Sequence, residues 1–392
     1  MDDFETLWKD RLADLDGNGR LRRLRPLARK ADGRLQADGQ ALIDFSSNDY
    51  LGLSRHPELV RRARDFAQKY GAGAGASRLV TGELPPFAAI EAKLAAGKAA
   101  PAALLFVSGF QANASILPAL FDRAALKAEP VVFADRLNHA SLIQGCLAAG
   151  IRQLRFRHND LGHLEALLEQ HAGSGRPLFI VTETVFSMDG DRVDLPALTA
   201  LAERFGAFLY LDEAHATGVF GPGGFGLAHG LAGPRCLVMG TFSKALGGFG
   251  AYAACTPALR DYLINRCPGL IYATALPPAV LGAMDAALDL LPGLDAERAR
   301  VLAHAASFRE SMAAAGLDTG ASTTQIVPIL LGEEKRALRV ARGLEEQGFL
   351  GVAIRPPTVP AGQARLRLAF SARHTEEEVA ALARALGALA RG

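Results

Sequence analysis

Between Arg235 and Arg260 the chain carries one charged residue, Lys244, in the run Gly240-Thr-Phe-Ser-Lys-Ala-Leu-Gly-Gly248. A lysine kept from water gives up its proton more readily, because desolvation disfavours the ammonium, and the free amine condenses with a carbonyl to a Schiff base. The plain alternative is a lysine that snorkels to the surface from a strand end. A second segment, Ala207-Phe-Leu-Tyr-Leu-Asp-Glu-Ala-His-Ala-Thr-Gly218, ends an apolar run on Asp212 and sets His215 three residues later. Here the plain alternative is an aspartate that caps a following helix.

Taken together, the two segments point to one chemistry. A pyridoxal phosphate site needs a lysine to hold the cofactor's aldehyde and a carboxylate to keep its ring nitrogen protonated. Ligands in open α/β sheets gather at the carboxyl ends of strands, where both residues are expected. Ser108-Gly109-Phe110-Gln111 reads as a strand-to-helix turn whose free N–H groups suit a phosphate, and Thr241 and Ser243 flank the lysine with hydroxyls. His139, in Asp135-Arg-Leu-Asn-His-Ala-Ser141, follows an apolar run, and a flat imidazole there suits stacking on an aromatic cofactor. Gly221-Pro-Gly-Gly-Phe-Gly226 fits the dinucleotide string G-x-G-x-x-G, but it follows a loop and carries a proline inside the turn, so a nicotinamide site is rejected. The histidines, His158 and His163 among them, lack the spacing of metal ligands, and no metal is expected.

These residues need a scaffold, and the apolar pattern supplies one. The runs at 103–107, 131–134, 178–182, 207–212, 236–240 and 250–255 are apolar throughout and alternate with helical patterns. That is the mark of an α/β fold, a mostly parallel sheet between helices. Residues 1–47 read as an N-terminal arm, opening on a helix with Leu7, Trp8, Leu12 and Leu15 at helical spacing and broken at Gly17-Asn18-Gly19. Residues 48–291 form the large domain. After Pro292-Gly293, residues 292–392 read as a small α+β domain: helix 295–315, strand 326–331, helix 333–347, strands 350–355 and 365–370, and a last helix opened by the capping box Thr375-x-x-Glu378.

Composition excludes several classes. Among 392 residues, 43 Lys+Arg balance 41 Asp+Glu to a formal charge of +2, which is not the balance of a nucleic-acid coat or an acidic tail. The basic cluster Arg20–Lys30 has no interleaved aromatics and reads as a solvated face, with one or two arginines available to an anionic substrate. Cys146, Cys236, Cys255 and Cys267 lack CxxC spacing and are too sparse for a disulfide scaffold, so a reduced, cytoplasmic chain is expected. The acidic start Met1-Asp2-Asp3-Phe4-Glu5 is not that of a signal peptide, and no apolar run reaches the ~18 residues of a membrane span.

Six segments, in order and over nearly the whole chain, resemble one family. They are Phe45-Ser-Ser-Asn-Asp-Tyr-Leu-Gly-Leu53, Gly75-Ala-Ser-Arg-Leu-Val-Thr-Gly82, Asn138-His-Ala-Ser141, Val185-Phe-Ser-Met-Asp-Gly-Asp191, Asp212–Gly218 and Gly240-Thr-Phe-Ser-Lys244. They are similar to the α-oxoamine synthases, fold-type I pyridoxal phosphate enzymes that condense an amino acid with an acyl-CoA and lose carbon dioxide. Within that family Ile354-Arg-Pro-Pro-Thr-Val-Pro-Ala-Gly-Gln-Ala-Arg-Leu-Arg367 is similar to members that join L-alanine to a pimeloyl thioester, carried on CoA or on acyl carrier protein, in biotin biosynthesis. Sister synthases that take glycine are the alternative.

The resemblance also implies roles. Lys244 would hold the cofactor as a Schiff base and then take the Cα proton of alanine. His139 would stack on the ring, Asp212 would partner the ring nitrogen and stay ionised, and His215 with Ser187 would neighbour the phenolic oxygen. Gly109, Phe110 and Thr241 match phosphate contacts. Thr274, in Tyr272-Ala-Thr-Ala-Leu-Pro-Pro278, matches a hydroxyl that reaches the phosphate of the other subunit, which implies a homodimer with shared sites. Asn48 and Arg367 would face the amino-acid carboxylate, and Arg22 and Thr358 the acyl substrate.

Overall fold

The computed structural model describes residues 3–30 and 33–390. The chain divides into two compact units, one of Met1–Ser47, Met188–Gly190 and Arg300–Gly392, the other of Asn48–Ser187 and Asp191–Ala299.

The larger unit is built on seven strands: β1 (Ala102–Phe106), β2 (Val131–Asp135), β3 (Leu154–Phe156), β4 (Leu178–Glu183), β5 (Phe208–Asp212), β6 (Cys236–Thr241) and β7 (Ala251–Cys255). Across the sheet they run β1-β7-β6-β5-β4-β2-β3. Strands β2 to β6 are mutually parallel, and β7 is antiparallel to both its neighbours, β1 and β6. Strands β2, β4, β6 and β7 are buried at every position, which requires cover on both faces of the sheet. On one face the helices Gly109–Leu120 and Ala140–Ala148 supply Ala112, Ile116, Leu117, Leu142 and Cys146 to a core shared with Leu104, Val132, Val181, Tyr210 and Leu237. The short β3 was not expected, because Leu154-Arg-Phe156 offers one fully buried side chain and no apolar run.

The smaller unit holds a four-stranded and a three-stranded sheet. The expected strand 350–355 is two strands in different sheets: Phe349–Leu350 pairs parallel with Ile43–Asp44, and Val352–Ile354 pairs antiparallel with Arg365–Arg367. Gly351 lies at the changeover, where a Cβ would come within 3.1 Å of Leu368 and 3.3 Å of Leu344. Within the expected N-terminal arm, the strand Gln40–Asp44 belongs to the four-stranded sheet of the smaller unit. Phe45 stacks on His374 at 3.9 Å between ring centroids and joins the core of Phe308, Leu366 and Phe370. The helix Phe4–Gly17 buries no residue, and neither does the strand Ala28–Arg29.

The division between units near the C-terminal part falls at 299/300, inside the helix Asp295–Ala314, rather than at 291/292. Pro292 turns the chain through the short 3-10 segment Leu291–Gly293, where its missing N–H costs nothing. The next helix begins with Arg298 donating to Leu291 O, and it goes on to place Ala305, Phe308 and Met312 in the core of the smaller unit. The Thr375–Glu378 capping box is present as expected. Among the described residues no helix is long and apolar enough to cross a membrane, and no cluster of His, Cys, Asp and Glu could hold a metal. All four cysteines are buried and unpaired, and burial pushes each thiol up to about 12.

Candidate active site

Parallel strands end on the same edge, and that edge gathers the expected residues of the larger unit. On β5 Asp212 lies opposite Glu183 of β4 on one side and Met239 of β6 on the other. Thr241 ends β6, and half-buried Lys244 follows in the turn that closes with a hydrogen bond from Gly247 N to Lys244 O. Gly247 has φ +64, and a Cβ there would lie 2.4 Å from Ser54 N, so only a bare α-carbon lets this turn lie against residues 53–54. His139 follows β2 and caps the helix Ala140–Ala148.

Asp212 is buried, and both its oxygens accept hydrogen bonds, Oδ2 from Asn113 Nδ2 at 2.8 Å and Oδ1 from Ala214 N at 2.9 Å. Burial raises its pKa above the ordinary carboxylate value, opposed by those two bonds and by the nearby His139 and Lys244. Desolvation lowers the pKa of His139, Lys244 adds to that effect, and Asp212 opposes it, although the residue itself is exposed on the site. Lys244, Asp212 and His139 thus feel one another's charge. Glu183, which that reading missed, is fully buried beside them. It accepts from His139 N at 2.6 Å, and burial with the charge of Asp212 holds its carboxyl well above its usual range. Its signal was an acid at the end of the apolar run Leu178–Glu183, the same pattern that singled out Asp212.

His215 is buried, with Nδ1 2.6 Å from Tyr50 Oη, and Tyr50 Oη lies 3.1 Å from Asn48 Oδ1. The structure therefore brings Asn48 to His215 through Tyr50, a residue inside the first family-like segment for which the sequence suggested no role. Ser187 is buried just beyond β4.

The residues at Thr241 fit a phosphate. Gly109 opens the helix Gly109–Leu120, and a Cβ on it would lie 2.7 Å from Thr241 Cγ2, so glycine is what lets the helix start approach β6. The Thr241 hydroxyl is buried and has no hydrogen-bond partner among the described residues. Such a group costs about 1–3 kcal/mol until it is paired. An anion at this helix N-terminus would supply the missing acceptor and meet the free N–H groups of Gly109 and Phe110. Thr274 is exposed, forms an isolated bridge with Ser77, and lines a small pocket with Arg78, Phe106 and Val107.

In the smaller unit the structure joins two residues far apart in sequence: Arg22 donates to Thr358 Oγ1 at 3.2 Å. Both line an open cavity of 430 Å³ with Leu21, Leu24, Val352 and Arg355. Arg355, part of the family-like Arg-Pro-Pro-Thr run but given no role of its own, donates to Gly19 O, and burial with the charge of Arg22 lowers its pKa. Arg367 is buried on the strand Ala364–Ala369.

Known proteins share this chain's sequence and fold. The aminotransferase class I and II family profile matches residues 40–386. The 8-amino-7-oxononanoate synthase of Gluconacetobacter diazotrophicus is 56% identical over 393 aligned residues, covering 100% of this chain and 98% of its own. That of Geobacter sulfurreducens is 49% identical over 384, covering 97% and 96%. A high-resolution structure of SPT with PLP superposes with a TM-score of 0.88 at 26% identity, covering 99% of this chain and 97% of that one. The chain belongs to the aminotransferase class I and II family, in the branch of the 8-amino-7-oxononanoate synthases.

Proposed function

We propose that the chain condenses L-alanine with a pimeloyl thioester, releasing the thiol carrier and carbon dioxide, with pyridoxal phosphate as cofactor. The observation that carries the reading is the carboxyl edge itself: Asp212 and the Lys244 turn end two paired parallel strands, beside the unsatisfied Thr241 hydroxyl and the Gly109 helix start. When bound, the cofactor supplies an aldehyde and a ring that accepts the electron pair released at Cα.

The protein's own groups do the rest. Lys244 Nζ would hold the cofactor's aldehyde, and its free amine would be the base for the Cα proton of alanine, held beside that carbon rather than recruited from water. The Asp212 carboxylate would accept a hydrogen bond from the protonated ring nitrogen, whose charge would lower a carboxyl pKa that burial raises. His139 would stack on the cofactor ring, and His215, whose Nδ1 lies 2.6 Å from Tyr50 Oη, would neighbour its phenolic oxygen with Ser187. Gly109 N–H, Phe110 N–H and the Thr241 hydroxyl bind the phosphate. Asn48 and Arg367 receive the alanine carboxylate, and Arg22 with Thr358 the acyl chain, whose far end is itself a carboxylate in the pimeloyl group.

The same reading makes the protein a cytoplasmic homodimer, with Thr274 reaching the phosphate of the other subunit. Exposed apolar side chains around Thr274 support it: Tyr272 is 83% exposed, Val80 74%, and Leu79 and Phe110 53% each. A surface of this kind is normally covered. The acyl donor is a pimeloyl thioester of CoA or of acyl carrier protein, which present the same thioester.

The test is the cofactor absorbance of purified protein on adding L-alanine, glycine or L-serine, followed by thiol release on adding pimeloyl-CoA. A spectral change with alanine and thiol release with the pimeloyl thioester are expected, and Lys244→Ala should abolish the release. Thiol release with glycine and a shorter acyl-CoA instead would reassign the substrate. Turnover retained by Lys244→Ala would overturn the mechanism.

A further inference from the structure

Beneath the site, side chains without any role in the reaction as derived form one line of hydrogen bonds. Tyr210 Oη donates to Asn113 Oδ1 at 2.7 Å, and Asn113 Nδ2 donates to Asp212 Oδ2 and to Ser141 Oγ at 2.8 Å each. Ser141 Oγ in turn meets His139 Nδ1 at 2.7 Å. Tyr210, Asn113 and Ser141 are all buried.

The direction of every link follows from the groups present. A phenol donates one proton, and the only acceptor atom of the Asn113 side chain is Oδ1, so Tyr210 fixes which way the amide faces. The reverse orientation would set the amide oxygen against the Asp212 carboxylate. Burial and the charge of Asp212 hold the Tyr210 phenol well above its usual pKa, so it stays a donor. Ser141 Oγ accepts from Asn113 and keeps one hydroxyl proton to give, and His139 Nδ1, which accepts from a backbone N–H, is the acceptor it meets. The Ser141 backbone N–H is aimed at the same nitrogen, 3.3 Å away. A ring nitrogen facing two donors is an acceptor.

We infer that Asn113 and Ser141 are positioning residues that hold His139 as the neutral imidazole with its proton on Nε2, while the same Asn113 amide fixes the Asp212 carboxylate. Desolvation of His139 and the charge of Lys244 favour the same neutral form. Asn113 sits one turn into the helix Gly109–Leu120, whose first residues carry the phosphate cradle. One rigid helix therefore sets the ring-nitrogen partner, the stacking histidine and the phosphate contacts in a common frame. That His139 and Asp212 meet the cofactor rests on the proposed function, whereas the tautomer does not.

The experiment is ring-nitrogen NMR of the holoenzyme labelled with 15N-histidine, without substrate, His139 being assigned by the signals missing from His139→Asn. The expected result is one pair of signals near neutral pH, Nε2 at the position of a protonated nitrogen and Nδ1 at that of an acceptor. Ser141→Ala should mix the tautomers and lower kcat about tenfold, the equivalent of one ordinary hydrogen bond, with little change in KM. Ser141→Thr, which keeps the hydroxyl, should restore both. A proton found on Nδ1, or wild-type ring signals retained in Ser141→Ala, would overturn the inference. The wild-type spectrum alone decides the tautomer, even if a variant fails to fold. If the substrate reading were wrong, the nitrogen signals would stand as expected while alanine and pimeloyl-CoA gave no thiol.

Discussion

The Thr241 hydroxyl separates what the fold needs from what the cofactor needs. It is buried without a partner among the described residues, so in the ligand-free chain it is a cost, and with a phosphate beside it the hydroxyl becomes a contact. Thr241→Val keeps the shape and removes the hydroxyl. The ligand-free variant should unfold at the same or a higher temperature than the parent, while cofactor affinity falls about tenfold, the worth of one such bond. Thermal unfolding of the stripped protein and a fluorescence titration with pyridoxal phosphate measure the two, and a less stable ligand-free variant would contradict the account. The sequence flagged Thr241 only as a hydroxyl near a lysine. Its lack of a partner is a property of the packed strand end.

At the scale of elements, one buried ion pair and one half-buried charge cluster hold the loops that carry the site. Lys98 caps the helix Pro86–Gly97 and meets Glu213, the residue after Asp212, with both side chains fully buried. Lys98 Nζ also donates to Phe225 O at 2.6 Å, and Glu213 Oε1 accepts from Ala228 N at 2.7 Å, so the pair pins the loop from 213 to 228 that contains His215. Burial disfavours the ammonium, but Glu213 prevails and the pKa of Lys98 is raised. Lys98→Met strands a buried carboxylate and should cost about 3–5 kcal/mol in urea unfolding, and adding Glu213→Gln should recover much of it. Simple additivity of the two costs would show that the pair is not coupled.

His158 does similar work at the other side of the edge. Its Nδ1 lies 3.0 Å from Asp135 at the end of β2, and its Nε2 2.8 Å from Asp191, which closes the loop after Ser187. Desolvation works against the charge, but the two carboxylates push the pKa up from 6.5 to about 10. A raised folded pKa contributes stability that is complete below 6.5 and disappears as the pH rises through about 10. The stability of the parent relative to His158→Gln should therefore be constant at low pH and shrink by about 3 kcal/mol across that alkaline window. A pH-independent difference would mean that the imidazolium is not what holds the loop. The sequence placed His158 in a polar stretch outside any metal set, and only the pairing of β2 with β3 and β4 brings both carboxylates to it.

For the whole molecule, the proposed homodimer predicts a sedimentation-equilibrium mass about twice the 41.4 kDa of the chain, without a change when cofactor is removed. A monomer would overturn the proposed role of Thr274 and the reading of the exposed Tyr272, Val80 and Phe110 as a dimer surface. The helix Phe4–Gly17 makes the complementary point: its helical spacing was legible, yet Leu7, Trp8 and Leu12 are all at least 49% exposed. Periodicity reports that a stripe is apolar and leaves open what covers it. By itself the sequence determined the α/β class, the strand runs, and the placement of Asp212 and Lys244 at strand ends, because these depend on local apolar patterns and on the shared direction of parallel strands. The tertiary structure decided the partners. Arg22 meets Thr358 across 336 positions, Gly351 sends one expected strand into two sheets, and Asn113, Ser141, Tyr210 and Glu183 come together under Asp212 and His139. A residue's hydrogen-bond partner depends on which strand lies beside its own, and the order β6-β5-β4-β2 is set by the packing of the whole core, which no local run of residues encodes.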